Sequence, residues 1–233
     1  MAVMKPVGDR AVLVGFGDSI SESVNQMVLN LYRKIKESHR EGMLEAVPAF
    51  CSVLVYYDPL KTDYDAVSIA LSKLLAAIKE DLESGGKVVE IPVCYGGSFG
   101  PDLSFVAEHS GIKEEEVIRI HSSRDYRIYM LGFLPGFPYL GGMDERIITP
   151  RLQTPRIKIP AGSVGIGGAQ TGIYPMESPG GWQLIGRTPY CLFDPENPGE
   201  FLFGAGDSIR FVPVTRMEFD ALSKSRRGLR ISD

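Results

Sequence analysis

The chain has 233 residues, 44% hydrophobic and 23% charged, with a net charge of −4. That length can bury a core without disulfide or metal staples, in one large domain or two modest ones, and the mild acidity excludes the basic face that nucleic acid requires of a main partner. No apolar run approaches the roughly 18 residues of a membrane span, and the opening MAVMKPVGDRA has no apolar segment behind a basic start, so a cytoplasmic protein is expected.

RAVLVGFG reads as a strand. The following SESVNQMVLNLYRKIKES places Val24, Met27, Val28, Leu31 and Ile35 at helical spacing behind Ser21 as N-cap. GMLEAVPAF and CSVLVYYDP are strand candidates, the second rich in β-branched and aromatic residues. A second helix is expected over DYDAVSIALSKLLAAIKEDLESGG, where Val67, Leu71, Leu74, Leu75, Ile78 and Leu82 form an apolar stripe and Gly85 and Gly86 close the element. With KVVEIPVCY as a further strand, the order β-α-β-β-α-β is that of a ferredoxin-like module. It carries no catalytic pattern and reads as a scaffold or docking surface.

After residue 90 the composition changes. Two short helices are expected, PDLSFVAEHSG capped by Asp102 and KEEEVIRIHSS, whose Glu114, Glu115 and Glu116 suit the positive end of a helix dipole. Beyond DYRIYMLGF helix signals stop. Of 26 Gly and 16 Pro, fifteen Gly and ten Pro fall between Gly132 and Gly206, and the short apolar runs WQLIGR, YCLFD and SIRFVPV between turn signals indicate a β-barrel or sandwich.

Several motifs invite chemistry. Gly96 to Gly100 satisfies G-x-S-x-G around Ser98, with His109 and His121 downstream, yet Pro101 and Asp102 make it an ordinary turn into a capped helix, and barrel strands follow instead of a large parallel sheet. GIGGAQTG lacks the Gly-Lys-Ser/Thr ending of a Walker loop and has Gln170 where a dinucleotide fingerprint needs Gly. Cys51, Cys94 and Cys191 are odd in number and far apart, so they read as core thiols, and neither a disulfide framework nor a metal site is expected. His121 suits either a helix C-terminus or a proton carrier. In RIKIP, extended backbone would send Arg156 and Lys158 to one side and Ile157 and Ile159 to the other. Arg151 sits close by and Arg187 arrives later, on LIGRTP, and guanidinium groups bind carboxylate and phosphate through paired hydrogen bonds. Barrel-rim charges paired to Asp or Glu are the plain alternative. Trp182, the one tryptophan, follows a turn centred on Pro179 and Gly180 and suits buried packing or a pocket wall.

YRIYMLGFLPGFPYLGGMD, TPRLQTPRIKIPAGSVGIGGAQTGIYPMESPGGWQLIGRTP and FGAGDSIRF together resemble the KipI/PxpB family, also labelled allophanate hydrolase subunit 1. The similarity extends to GDRAVLVGFG and IPVCYGGSFGPDL. The resemblance implies an α+β protein, an N-terminal ferredoxin-like α/β domain at 1–88 followed by a cyclophilin-like β-barrel at 89–233. It further implies the role of a B subunit that works with homologous-type C and further A subunits as an ATP-dependent 5-oxoprolinase, opening 5-oxo-L-proline to L-glutamate, with ATP used by the complex. Two other roles occur in the family: inhibition of a sporulation-type histidine kinase, and a carboxyltransferase component related to urea carboxylase. The Ser-Ser-Lys apparatus of amidase-type allophanate hydrolases is absent from this sequence, and a cyclophilin-like fold does not imply prolyl isomerase activity.

For lactam opening the site needs cations for carboxylate and phosphate and a group that moves protons. Phe133, Gly136, Phe137, Tyr139 and Trp182 are expected to wall a pocket, and Arg151, Arg156, Lys158 and Arg187 to recognise anions. Gln170 and Tyr174 are expected to make polar contacts, and His121 to transfer protons.

Overall fold

Val12 and Val14 on one strand, and Val53, Val55 and Tyr57 on its neighbour, are all buried on one face of a sheet, the period-two pattern of a half-buried antiparallel pair. The structure is a computed structural model that describes residues 2–78, 86–196 and 201–225. The chain divides into two units, Met1–Gly85 and Gly86–Asp233.

The first unit runs β1 (Val3–Pro6), β2 (Ala11–Gly15), α1 (Glu22–Ser38), β3 (Met43–Pro48), β4 (Ser52–Tyr57) and α2 (Tyr64–Ala77). Its four strands lie in the order β1-β2-β4-β3, each pair antiparallel. Val28, Leu31 and Ile35 of α1 and Val67 and Leu71 of α2 close the same core as the inner strand residues. Ser21 caps α1 as expected, its hydroxyl accepting from the Val24 amide at 3.2 Å, and Asp63 caps α2 in the same way, from Ala66. Leu82 and Gly85 of the expected second helix lie outside the described residues.

This order corrects the expected ferredoxin-like arrangement. KVVEIPVCY does form a strand, β5 (Val88–Tyr95), but β5 belongs to the second unit, and the fourth strand of the first sheet is β1 instead. The sequence VMKP hides β1 because it is short, carries a lysine and ends in Pro6. Such a strand is tolerated only at a sheet edge, where β1 lies.

The second unit continues with α3 (Leu103–Ser110), α4 (Glu114–Ser122), β6 (Asp125–Leu131), β7 (Pro138–Gly141), a 3-10 turn (Glu145–Ile147), β8 (Arg156–Ile159), β9 (Ser163–Gly167), β10 (Gln170–Ile173), β11 (Ser178–Gly180), β12 (Gln183–Arg187), β13 (Ser208–Pro213) and α5 (Arg216–Lys224). Seven strands close into a barrel in the order β10-β7-β6-β13-β5-β12-β9, and β11 and β8 pair beside it. All barrel pairs are antiparallel except β13 with β5. Pro92 fits inside β5 because β12 contacts β5 only at Cys94 and Tyr95, so at Pro92 one side of the strand needs no ladder donor. Residues 190–194, expected as a strand, are irregular between Pro189 and Pro195. The barrel core gathers Ile91, Val93, Ile128, Leu140, Val164, Ile166, Ile185 and Phe211, with Leu103 and Val106 of α3 and Val117 and Ile120 of α4 packed on it. Of the three cysteines expected in cores, Cys94 is buried, Cys51 half-buried and Cys191 exposed, so Cys191 departs from that reading. Among the described residues no helix is long and apolar enough to cross a membrane.

Candidate functional site

Trp182 enters β12 with 5% of its surface exposed and gathers the aromatic residues of this face. Phe137 meets it edge-to-face at a 5.6 Å centroid distance, Tyr174 at 6.3 Å, and Phe137 in turn contacts Tyr174 at 5.3 Å and Tyr139 at 5.1 Å. Edge-to-face pairs at these spacings are attractive beyond their buried area.

The glycines around the cluster serve this packing. A Cβ at Gly167 would overlap the indole of Trp182, and one at Gly172 would lie 3.0 Å from the same ring and 2.9 Å from the Pro138 carbonyl. One at Gly180 would meet the Tyr174 ring at 2.9 Å. The glycine-rich stretch therefore admits large rings against backbone, and at Gly167 the room that a ligand would need is already filled.

Two cations flank the rings. The Arg151 guanidinium, on an exposed residue, sits 5.7 Å from the Trp182 ring centroid. Arg156 donates from Nη2 to Asp102 Oδ1 at 2.7 Å and from Nη1 to the Trp182 carbonyl at 3.4 Å. Asp102 Oδ2 accepts from the Leu184 amide at 2.6 Å. Asp102 occupies the N-cap position of α3 as expected, but its side chain makes no capping bond; the carboxylate is committed to Arg156 and β12. Burial pushes the Tyr174 phenol up, and the backbone of Trp182 together with the charges of Arg151 and Arg156 pulls it back. Both guanidinium groups therefore act on one buried hydroxyl.

The other expected anion binders lie elsewhere. Lys158 reaches out to Glu177 at 3.0 Å, both side chains well exposed, a pairing that contributes little. Arg156 and Lys158 do not share a face. The register of β8 on β11 shifts between Ser178 and Gly180, so the strict alternation assumed for RIKIP is interrupted, with Ile159 fully buried and Ile157 91% exposed. Arg187 ends β12 roughly 16 Å along the strand from Trp182 and donates to the Ala161 carbonyl at 2.8 Å. Gln170 begins β10, half-buried, opposite Gly167.

His121 is wholly buried, its ring stacked on Phe211 at 4.5 Å. Thr171 donates its hydroxyl hydrogen to the Gly165 carbonyl at 3.0 Å, so its oxygen accepts from His121 Nε2–H at 2.9 Å. That fixes the tautomer. Nδ1 is then the acceptor for the Tyr95 hydroxyl at 2.8 Å. Burial lowers the His121 pKa to about 3 and drives the Tyr95 phenol well up. Both ring nitrogens are thus occupied inside the barrel. Ser98 is exposed in its turn, and neither nitrogen of His121 is free to serve it.

Phe133 and Gly136 lie in the loop between β6 and β7. Phe133 is 66% exposed, and Gly136 is buried against the Leu192 carbonyl and the Phe201 ring. Asp102, Tyr95 and Thr171 escaped sequence reasoning. Asp102 carried a capping signal that its contacts override, and the other two carried no local signal. A separate cleft of about 660 Å³ in the first unit is lined by Met4, Phe16, Met27, Leu75 and Ile78 among others, and among the described residues that line it no side chain is ionised.

Comparison with known proteins places these features. Residues 2–203 match the family model described as carboxyltransferase domain, subdomain C and D. The chain is 46% identical over 228 residues to the 5-oxoprolinase B subunit of Bacillus subtilis (strain 168), covering 94% of this chain and 95% of that one. It is 41% identical over 209 residues to the protein of the same name from Escherichia coli O157:H7, covering 89% and 94%. Among solved structures, the Pyrococcus horikoshii protein PH0987 is 52% identical with a TM-score of 0.56, over 93% of this chain and all of that one. TTHA0988 is 36% identical with a TM-score of 0.78, over 88% of this chain and 39% of that one. The chain belongs to the family of carboxyltransferase-domain subdomains C and D, in the group whose members include the 5-oxoprolinase B subunits.

Proposed function

We propose that the chain is the B subunit of a 5-oxoprolinase, acting with the A and C subunits of that enzyme, and that the Trp182 cluster receives the carboxylate of 5-oxo-L-proline. Relatives of that name, 41–46% identical over about nine-tenths of the chain or more, carry the reading. The geometry supports it. A flat lactam with one carboxylate needs a planar apolar wall and a cation, and Arg151 stands exposed over the indole to supply the second. Arg156, held by Asp102, adds positive field without leaving its partner. Tyr174 and Tyr139 orient the ring plane and Gln170 takes a peripheral part, while Lys158, paired with Glu177, and Arg187, held by the Ala161 carbonyl, lie outside this site. His121 acts as a positioning residue, holding Thr171 and Tyr95 across the barrel interior. The closed barrel with packed helices supports the cyclophilin-like reading of the second unit, and the cytoplasm is the compartment we propose for the chain.

ATP does not fit the glycine-rich stretch of this chain. The indole of Trp182 covers Gly167, and the Gly168 amide already donates to the Thr149 carbonyl at 2.8 Å. This stretch is therefore not assigned to nucleotide, and the role proposed for this chain is to bind and orient substrate. A second reading, a carboxyltransferase component, is favoured by the description of the matching family model and by 26% identity to urea amidolyase of Saccharomyces cerevisiae, of which the match covers 14%. Mixing the three subunits and following ATP hydrolysis tests both. Turnover that requires 5-oxoproline supports the first reading. Turnover that requires bicarbonate and a biotinyl carrier instead replaces it with the second.

A further inference from the structure

The segment from Arg151 to Arg156 carries a guanidinium at each end and is seated on the approach to Trp182. The Leu152 amide donates to the Gly181 carbonyl at 2.7 Å, and a Cβ at Gly181 would lie 3.6 Å from the Pro155 ring. Arg151 is thereby placed over the indole, 5.7 Å from its centroid, and Arg156 against the Trp182 carbonyl at 3.4 Å.

The two cations differ in their company. Among the described residues no carboxylate pairs with Arg151, whereas Arg156 Nη2 donates to Asp102 Oδ1 at 2.7 Å. The Leu184 amide, donating to Asp102 Oδ2 at 2.6 Å, pins that carboxylate from its other side. Asp102 exposes 13% of its side chain and Arg156 29%, so the acid is held in place while part of the guanidinium still reaches the surface. An aspartate at an N-cap position usually accepts from its own helix, and here it does not. The carboxylate instead neutralises one arginine of the two and leaves the other bare.

A site with one open cation and one closed cation counts charges. The lactam carries one carboxylate, and opening it to glutamate creates a second, together with an ammonium. One carboxylate docks on Arg151. A second, reaching toward Arg156, meets a guanidinium already engaged and the Asp102 carboxylate beside it, and like charges brought together in a partly buried setting weaken binding. We propose that Asp102 is a specificity-determining residue, closing Arg156 to a second carboxylate so that the site holds monocarboxylates and rejects dicarboxylates, the opened product included. This rests on the reading above, that the Trp182 cluster receives 5-oxo-L-proline.

Two acyclic probes of one skeleton isolate the charge: glutaramate, with one carboxylate and one amide, and glutarate, with two carboxylates and no ammonium. Titrated into the full chain at pH 7 and followed by the emission of its single tryptophan, the wild type should bind glutaramate at least about tenfold tighter than glutarate. Asp102→Asn frees the guanidinium and should reverse the order, favouring glutarate by at least about threefold. Asp102→Glu keeps the charge and should keep the wild-type order. A residue that only supports the fold would weaken both probes together and could not produce a gain for one of them. Equal affinity of the wild type for the two probes, a response to neither, or a preference for glutaramate that persists in Asp102→Asn or is lost in Asp102→Glu overturns the proposal and leaves the 5-oxoproline site standing. Should Asp102→Asn not fold, the wild-type order and that of Asp102→Glu decide between the same outcomes. Absence of any response to 5-oxoproline in the wild-type chain overturns the site and the proposal together.

Discussion

Asp102 and Arg156, fifty-four residues apart, meet at 2.7 Å, and the same carboxylate accepts the Leu184 amide at 2.6 Å, so one side chain ties the start of α3 to β8 and β12. The pair is mostly buried, with side-chain exposures of 13% and 29%. Asp102→Ala would leave a partly buried guanidinium and a strand amide without their acceptor, at a cost of about 3 kcal/mol. Asp102→Asn keeps an acceptor but removes the charge, and should cost about half as much. Urea unfolding of the two variants measures the order; equal stabilities would show that the ion pair, and not the amide contact, dominates.

Gly167→Ala is expected to be more damaging than its size suggests. Its methyl would overlap the Trp182 indole, and neither a strand backbone nor a ring packed against Phe137 and Tyr174 yields easily. Overpacking of this kind costs about 1–3 kcal/mol. Since Trp182 is the single tryptophan, its emission reports the displacement directly, by a shift to longer wavelength. Gly168→Ala is the control. It has open space but φ +66°, so it should cost about 1 kcal/mol of backbone strain and leave the emission in place.

Features set by local period were legible in the sequence. The helical spacing of Val28, Leu31 and Ile35 and the alternation of Val53, Val55 and Tyr57 each follow from the geometry of a single element, and all six are buried as that geometry requires. The aromatic residues of the candidate site were legible as a composition, Phe137, Tyr139 and Trp182 among glycines. What stayed hidden depends on pairing between distant segments. The register shift of β8 on β11, which separates Arg156 from Lys158, is decided by β11, some twenty residues on. Gly167 needs to be glycine because of a ring fifteen positions later, and the carboxylate of Asp102 leaves its helix because of Arg156 and Leu184. The assignment of Lys87–Tyr95 to the first sheet failed for the same reason: a buried apolar strand looks alike in either sheet.

His121 makes stability depend on pH in a defined window. Its ordinary pKa is 6.5 and burial lowers it to about 3, so between these values the unfolded chain binds a proton that the folded chain does not. Stability from this group is complete above about pH 6.5 and is lost as pH falls toward 3, at up to about 1.4 kcal/mol per pH unit. Tyr95 and Tyr126, which face the ring, are pushed up by burial and stay neutral throughout. Asp144 and Glu116, held low by arginines, also weaken the fold in acid. The test is therefore the difference between wild type and His121→Gln: the variant should be less stable at pH 7, and the gap should narrow steadily to pH 4. A gap independent of pH would mean that the ring is not held neutral.

Arg151 separates substrate binding from folding. Its guanidinium stands over Trp182 on an exposed residue, so Arg151→Ala removes a cation–π contact that contributes about 0.5–1 kcal/mol. The melting temperature should barely move. If this group receives the carboxylate, losing one charge-assisted pair should raise KM for 5-oxoproline in the three-subunit assay by about 10- to 100-fold. Arg151→Lys should recover only part of that, since an ammonium cannot offer two parallel donors. The same contact gives a second readout without turnover, because a carboxylate drawn to Arg151 changes the field at the indole, and Trp182 emission should shift on titration with 5-oxoproline in the wild-type chain but not in Arg151→Ala. An emission shift that survives the substitution would move the carboxylate to Arg156 or away from this face.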